Sequence, residues 1–386
     1  MNGTEEIGWI DDDAGLARLV AALAGAPRAA IDTEFVREKT YYPQLCLIQV
    51  ATERHVACVD LLAKLDLEPL YAELFRADFT WVLHSARQDL EVVYQRTGRM
   101  PPRLVDTQVA AAFTGYPPQV GLEGLLERAL GITLGESFAR TDWSRRPLPD
   151  AAFRYALDDV RYLLAAWDRV DAELARLDRR AWLVEDCERL LAEHPVADAI
   201  AIWSKIKGVH GLSFASQCAA LALVRWREAA AQRSDRPRRW LLADDVLVAI
   251  AATLPTDADA LGAFVPPKFV ARNAGAVLGA LASRTDAALQ ADVRANAAQR
   301  APDRTVVKAL QEQVRQRASA LAIEPELLAT RRDLASLALG DPPPHLRTGW
   351  RARELAAVLG RTAPPEPGSS SPAEPPAAAS PAASRT

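Results

Sequence analysis

Two carboxylates interrupt an apolar segment near the start of the chain and are the first candidates for chemistry. Residues 29–35 read AAIDTEF, with Asp32 and Glu34 two positions apart. Because side chains alternate along a β-strand, both are predicted on one face, about 7 Å apart along the backbone. Such carboxylates repel each other unless a cation lies between them, and oxygen ligands select Mg²⁺ or Mn²⁺. The alternative is that one or both simply end the strand in solvent.

Two later segments carry further candidates. From residue 81 the chain reads WVLHSARQDLEVV, a strand leading into a helix with Asp89 in its first turn. This carboxylate either complements the helix dipole or completes a metal site. We expect His84, at the strand end, to be a hydrogen-bonded structural residue. From residue 151 the chain reads AAFRYALDDVRY, where Tyr155 shares a helix face with both Asp158 and Asp159, so that spacing does not choose between them. The alternative for Tyr155 is an aromatic core residue.

Taken together, the three segments resemble the DEDD exonuclease superfamily in its tyrosine subtype, and within it the ribonuclease D family. The resemblance spans about residues 8–360. The segments that carry it read DTEF from residue 32, TYYPQLCLIQ from 40, HSARQDL from 84, DTQ from 106, DWSRRPL from 142 and YALDD from 155. It implies metal ligands at Asp32, Glu34, Asp89 and Asp159, favouring Asp159 over its neighbour, with Tyr155 positioning the attacking water.

The resemblance also implies an activity. Two divalent ions, Mg²⁺ or Mn²⁺, would serve a 3′-5′ exoribonuclease that releases nucleoside 5′-monophosphates from RNA with a free 3′ end, such as tRNA precursors. Two alternatives stay open. The acidic motifs do not read the 2′-hydroxyl, so a DNA 3′-5′ exonuclease has the same signature. A non-catalytic RNA-binding protein could keep the fold, although the intact acidic residues and Tyr155 count against it.

The elements that must position these residues follow from the hydrophobic pattern. Strands are predicted at Arg28–Val36, Gln44–Ala51, His55–Leu61, Phe79–His84 and Leu104–Asp106. The first three are close enough in sequence for antiparallel pairing, and helical patterns follow them, ending with Pro149–Leu177. Residues 1–180 are thus predicted as an α/β domain, a mixed sheet flanked by helices. The resemblance identifies this fold as ribonuclease H-like.

The remainder of the chain is predicted to be all-α. Residues 195–285 resemble the helical HRDC domain shared with RecQ-like helicases, through WSKIKG from residue 203 and LALVRWR from 221. Residues 290–361 are predicted, from length and helical pattern, as a second, divergent copy. In the last segment, 362–386, 19 of 25 residues are Pro, Ala or Ser, which predicts a disordered tail.

The net charge of −4 is unevenly distributed. Residues 1–200 contain 22 Lys and Arg against 33 Asp and Glu, whereas residues 201–386 contain 24 against 17. The net charges are therefore −11 and +7, and the basic half is predicted to hold RNA phosphates. The alternative is a solvated helix surface. The candidate nucleic-acid contacts in this half are Lys205, Lys207, Arg225 and Arg227. Arg145 and Arg146, on a loop just before the Tyr155 helix, are candidates from the acidic half.

Composition also excludes some classes of protein. No run reaches the roughly 18 apolar residues of a membrane span, and residues 1–10 contain two Glu and no basic residue, unlike a secretory signal. The four cysteines have neither zinc-site spacing nor a disulfide pattern, and they are predicted as buried thiols of a reducing compartment. We therefore expect a cytoplasmic protein with no membrane partner, and the sequence leaves protein partners open.

Overall fold

The computed structural model describes residues 5–138, 140–193, 196, 198–296 and 302–359. Six strands form one mixed sheet in the order β1-β4-β3-β2-β5-β6. Strand β3 is antiparallel to both of its neighbours, and the other neighbouring strands are parallel. The strands are β1 (Glu5–Ile10), β2 (Arg28–Val36), β3 (Gln44–Ala51), β4 (His55–Asp60), β5 (Thr80–Leu83) and β6 (Arg103–Asp106).

Helices account for most of the remaining described residues. Those of the α/β domain are α1 (Asp13–Leu23), α2 (Glu68–Leu74), α3 (Arg87–Thr97), α4 (Thr107–Ala112), α5 (Leu122–Leu130), α6 (Asp150–Arg161), α7 (Leu163–Arg176) and α8 (Arg180–Ala192). Those that follow are α9 (Ala199–Ser204), α10 (Phe214–Ser234), α11 (Arg238–Leu241), α12 (Asp244–Thr253), α13 (Ala258–Leu261), α14 (Pro267–Ala282), α15 (Ala287–Asn296), α16 (Arg304–Leu321), α17 (Pro325–Leu328), α18 (Arg331–Ala338) and α19 (Gly349–Leu359).

The central strands are covered on both faces. Strand β3 is buried from Leu45 to Ala51, and Ala29–Ile31 of β2 are excluded from solvent. Helix α6 packs over β2, β3 and β4, while α3 packs against β2 and β3. Strands buried in this way consist of continuous apolar residues, which is why their sequence predicted them well. It is also why acidic residues within β2 stand out.

The predicted fold class is confirmed: a mixed sheet flanked by helices, followed by an all-helical region. All five predicted strands are present, and β2, β3 and β4 pair through both predicted antiparallel connections. Strand β1 was not predicted, because it is an edge strand in which Ile10 alone is buried and Gly8 interrupts the register. Helix α1 was not predicted either. The predicted helix Pro149–Leu177 is two helices, which meet at Tyr162.

The first helical domain, residues 198–296, surrounds a central helix. Helix α10 contacts α9, α12, α14 and α15, so its apolar residues are buried on nearly all sides. The core includes Trp203, Leu221 and Leu247. It also includes Leu289 and Val293 of α15, so this domain continues beyond residue 285, where the sequence pattern placed its end.

Residues 302–321 and 325–359 belong to a second compact unit, which contains α16 to α19. A capping box begins α18: the Thr330 side chain accepts from the backbone N–H of Asp333, whose carboxylate accepts from the N–H of Thr330. That 290–361 form a second HRDC-like domain stays a prediction. The predicted tail, 362–386, lies outside the described residues.

Two further expectations concern thiols and membranes. The four cysteines are free and buried, as predicted. Within the part of the chain that the structure describes, no helix is both long enough and apolar enough to cross a membrane.

Arg225 and Arg227, both predicted to contact nucleic acid, have different environments on α10. The Arg227 side chain is fully buried, and its Nη1 donates to the Leu242 carbonyl at 2.9 Å and to Asp244 at 2.7 Å. The prediction for Arg227 is therefore wrong, because this guanidinium ties α10 to the start of α12 and has no access to a ligand. The Arg225 side chain is 41% exposed and pairs with Asp292 at 2.5 Å.

We predict that Arg227→Ala lowers the free energy of unfolding by about 3–5 kcal/mol, because it leaves buried polar groups without their donor. Arg225→Ala is the matched control, two positions away on the same helix, and its loss should stay below about 1 kcal/mol because the ion pair is solvated. Urea unfolding measures both. Equal losses of unfolding free energy in the two variants would contradict the assignment of Arg227 as the buried residue that links α10 to α12.

Candidate active site

Strand β2 carries the first two acidic residues at its carboxyl end. Asp32 lies opposite Gln49 and Glu34 opposite Leu47 on β3, and the pairing shifts between Glu34 and Phe35. Both carboxylates lie on the face that α6 covers, as strand alternation predicted.

Asp89 approaches from the opposite face of β2. It lies in the first turn of α3 and is 7% exposed. Thr33, between Asp32 and Glu34, donates its hydroxyl to Asp89 Oδ1 at 2.5 Å. Strand alternation turns Thr33 away from the acidic pair, so nothing in the sequence indicates a role for it. In the fold it connects the second acidic motif to the first.

The turn before α3 depends on a buried carboxylate. Ser85 has φ of 64°, the left-handed region that non-glycine residues rarely adopt. Asp106, at the end of β6, accepts the backbone N–H of Ser85 at 3.1 Å and of Ala86 at 2.9 Å. It also caps α4 through Gln108 and Val109. Asp106 thus fixes the turn from which Asp89 enters the site.

Helix α6 contributes the remaining two residues. Asp159 lies with Asp32 and Glu34, and Tyr155, one turn earlier on the same helix, lines the same cavity. Asp158 instead pairs with Arg161 at 3.1 Å. The geometry therefore brings Asp159, and not Asp158, to the acidic cluster, resolving the choice that helical spacing left open.

Aromatic contacts fix the Tyr155 ring. Trp143, which is buried, stacks on it with a centroid distance of 6.3 Å and an interplanar angle of 27°. Phe138 lies 6.2 Å from it. The DWSRRPL segment belongs to the family resemblance, but a lone Trp in a sequence does not reveal which residue it packs against, so the role of Trp143 is visible only in the structure.

Electrostatics in the cluster favour a bound cation. One carboxylate oxygen from each of Asp32, Glu34 and Asp159 lies within 4.8 Å of the others. Loss of hydration and mutual repulsion raise the pKa of Glu34 to about 9, and loss of hydration raises that of Asp159 to about 7. The pKa of Asp89 is likewise raised to about 7, chiefly by burial. All donors are hard oxygens, a set that fits divalent Mg²⁺ or Mn²⁺.

These side chains line a cavity of about 610 Å³. Arg87 and Gln88 lie on its wall together with the acidic residues and Tyr155. The volume is in the range of small-ligand sites, enough for a terminal nucleotide. His84 also lines it, but its ring nitrogens are engaged with the Thr107 hydroxyl at 2.9 Å and the Val120 carbonyl at 3.0 Å. His84 is thus a hydrogen-bonded structural residue, as expected.

The remaining predicted nucleic-acid contacts are scattered. Arg146 is held by Asp60 in two hydrogen bonds, of 2.7 and 2.6 Å, and its guanidinium lies 5.1 Å from the Trp9 ring centroid. Arg145 is exposed next to it. Lys205 and Lys207 are exposed beside α9 of the first helical domain. The contacts of Arg146 already satisfy its guanidinium, whereas the other three side chains remain available.

Comparisons with known proteins agree with this architecture. A family model described as 3′-5′ exonuclease matches residues 7–175, and one described as HRDC domain matches residues 219–281. Ribonuclease D of Xanthomonas oryzae pv. oryzae is 37% identical over 359 residues, 91% of this chain and 97% of that protein. Ribonuclease D of Gluconacetobacter diazotrophicus is 36% identical over 349 residues, 87% of each chain.

Solved structures lead to the same family. The crystal structure of Escherichia coli RNase D, an exoribonuclease involved in structured RNA processing, is similar with a TM-score of 0.80 and 29% identity. The match covers 93% of this chain and 98% of that one. With full-length relatives, both domain matches and the acidic cluster in agreement, the chain belongs to the ribonuclease D family of 3′-5′ exoribonucleases.

Proposed function

We propose that this exoribonuclease uses two divalent ions, Mg²⁺ or Mn²⁺, held by Asp32, Glu34, Asp89 and Asp159, to release nucleoside 5′-monophosphates. The observation that carries the proposal is the convergence of carboxylate oxygens from β2 and α6 within 4.8 Å, with Asp89 on the wall of the same cavity. When bound, the ions would make an attacking water more acidic and neutralise charge on the departing 3′ oxygen.

The protein's own groups hold and orient the reactants. The Tyr155 ring, stacked on Trp143, lines the cavity of the acidic cluster, which supports a role for its hydroxyl in orienting the attacking water. Burial and the neighbouring carboxylates raise the pKa of Tyr155 above its ordinary value of about 10, so the phenol keeps its proton at neutral pH, which suits a hydrogen-bonding role. The cavity accommodates the terminal nucleotide and positions its phosphodiester against these groups.

We further propose that the natural substrates are structured RNAs with a 3′ extension, such as tRNA precursors. Support comes from the relative whose structure is described as that of an exoribonuclease involved in structured RNA processing. The proposed setting is the reducing cytoplasm, which suits four free thiols. Incubation with a tRNA carrying extra 3′ nucleotides, and with matched DNA, tests the proposed RNA substrate. Trimming of the RNA with release of monophosphates supports it, and equal turnover of the DNA contradicts the preference for RNA.

We predict that EDTA abolishes cleavage of labelled RNA and that added Mg²⁺ or Mn²⁺ restores it. Asp159→Asn should slow cleavage at least about a hundredfold, because the variant loses a charged oxygen from the cluster. Asp158→Asn is the matched control, since its carboxylate pairs with Arg161 outside the cluster, and it should retain a near-normal rate. Activity that survives both EDTA and Asp159→Asn would exclude the metal mechanism.

Removal of the Tyr155 hydroxyl tests its role in positioning the attacking water without disturbing the packing of the ring. Tyr155→Phe keeps the ring stacked on Trp143, so we expect unchanged thermal stability and a cleavage rate about a hundredfold lower. Single-turnover rates at saturating RNA measure the effect. Tyr162→Phe, at the end of the same helix, serves as the control and should leave the rate intact. A normal rate in Tyr155→Phe would show that the hydroxyl takes no part.

Asp106→Asn tests how Asp89 is held. The amide group turns one acceptor into a donor facing a backbone N–H, so stability should fall by about 1–3 kcal/mol and the Ser85 turn should loosen. With Asp89 less well placed, more Mg²⁺ should be needed for half-maximal activity. Asp12→Ala removes a similar helix cap on α1, where Asp12 accepts from the backbone N–H of Gly15 at 2.7 Å, and should lower stability by about 1 kcal/mol without changing the Mg²⁺ requirement. Equal Mg²⁺ requirements in both variants would contradict the positioning role.

A further inference from the structure

The loop between β2 and β3, residues 37–43, is fixed to the first helical domain. Asp235 ends α10 in a left-handed conformation, with φ of 45°. Its carboxylate accepts the backbone N–H groups of Tyr41 at 3.0 Å and of Tyr42 at 3.1 Å. The loop that leaves the acidic strand therefore ends against the carboxyl end of α10.

The Tyr41 side chain completes this junction. Its hydroxyl donates to Glu228 Oε2 at 3.0 Å and accepts from Gln232 Nε2 at 3.1 Å. Arg238 pairs with Glu228 at 3.2 Å and lies 5.7 Å from the centroid of the Tyr41 ring. These groups are engaged in holding the two domains together, so they are not the ones available to a ligand.

Exposed aromatic and basic side chains flank the residues of this junction. Trp240 is 65% exposed and Tyr42 43%, although large apolar side chains usually stay covered. Arg233, Arg236 and Arg239 are exposed, and none has an ion-pair partner among the described residues. We call these five residues the aromatic–basic patch. It combines uncovered aromatic rings with unneutralised positive charge.

We propose that the aromatic–basic patch binds single-stranded RNA that lies 5′ to the nucleotide in the active site. Bases stack on aromatic rings regardless of sequence, and arginines contact phosphates, which is how proteins hold single strands without sequence preference. Tyr42 follows Glu34 by eight residues, so the two lie at most about 28 Å apart, within reach of a few nucleotides. The charge of the patch favours a polyanion over an apolar protein partner.

This inference rests on the proposed RNA substrate, and binding assays test it separately. The probe is a hairpin RNA with a long single-stranded 3′ extension, and its affinity is measured by fluorescence anisotropy in EDTA, so that it is not trimmed. Trp240→Ala should weaken binding at least about fivefold, whereas Trp240→Phe should retain most of the affinity. Arg239→Ala should reduce the salt dependence by about one phosphate contact. Arg272→Ala, an exposed arginine on α14 of the same domain, should change neither.

Photo-crosslinking locates the RNA directly. With 4-thiouridine placed along the extension, we expect wild-type crosslinks in the peptide 233–240. Unchanged affinity in Trp240→Ala, or crosslinks confined to other surfaces, would overturn the proposal and leave the patch to a protein partner. Failure of the wild-type enzyme to trim the hairpin with Mg²⁺ would instead count against the proposed substrate. The two failures are therefore distinguishable.

Discussion

Repulsion among carboxylates held together out of bulk water is the constraint on which this structure depends. Asp32, Glu34 and Asp159 lie within a few ångströms of one another, and loss of hydration raises their pKa values. A fold relaxes such an arrangement unless its backbone is rigid. Here β2 is a central strand paired on both sides, and α6 is packed across three strands. The rigidity of the sheet keeps the charges close until a cation compensates them.

The supporting residues show how the rigidity of the sheet extends to each residue of the candidate active site. Thr33 bonds to Asp89, and Asp106 holds the strained Ser85 turn from which Asp89 enters. Trp143 holds the Tyr155 ring. None of these residues has a chemical role in the proposed reaction, yet each fixes one whose position matters within fractions of an ångström.

Much of this was predictable from the sequence, for a physical reason. Buried strands have a strong apolar pattern, so Asp32 and Glu34 were visible as exceptions, and the resemblance supplied Asp89, Tyr155 and Asp159. The pattern failed where burial is weak, as in the edge strand β1, and where neighbours in space are far apart in sequence. Helical spacing alone does not distinguish Asp158 from Asp159. In the structure Asp158 forms an ion pair with Arg161, and Asp159 is the one that joins the acidic cluster. Charge type alone placed Arg227 on the surface, whereas its partners place it in the core.

Because two N–H groups of the β2–β3 loop bond to Asp235, the first helical domain also stabilises a loop of the exonuclease domain. It supplies the hydrogen-bond acceptor for a loop of the neighbouring domain, as a capping residue does for the end of a helix, but across a domain boundary. An exonuclease domain separated from it would keep its sheet and its acids, yet the two N–H groups of the loop that follows β2 would have to find their acceptors in water. The boundary that domain families draw in sequence is therefore not a boundary of physical independence.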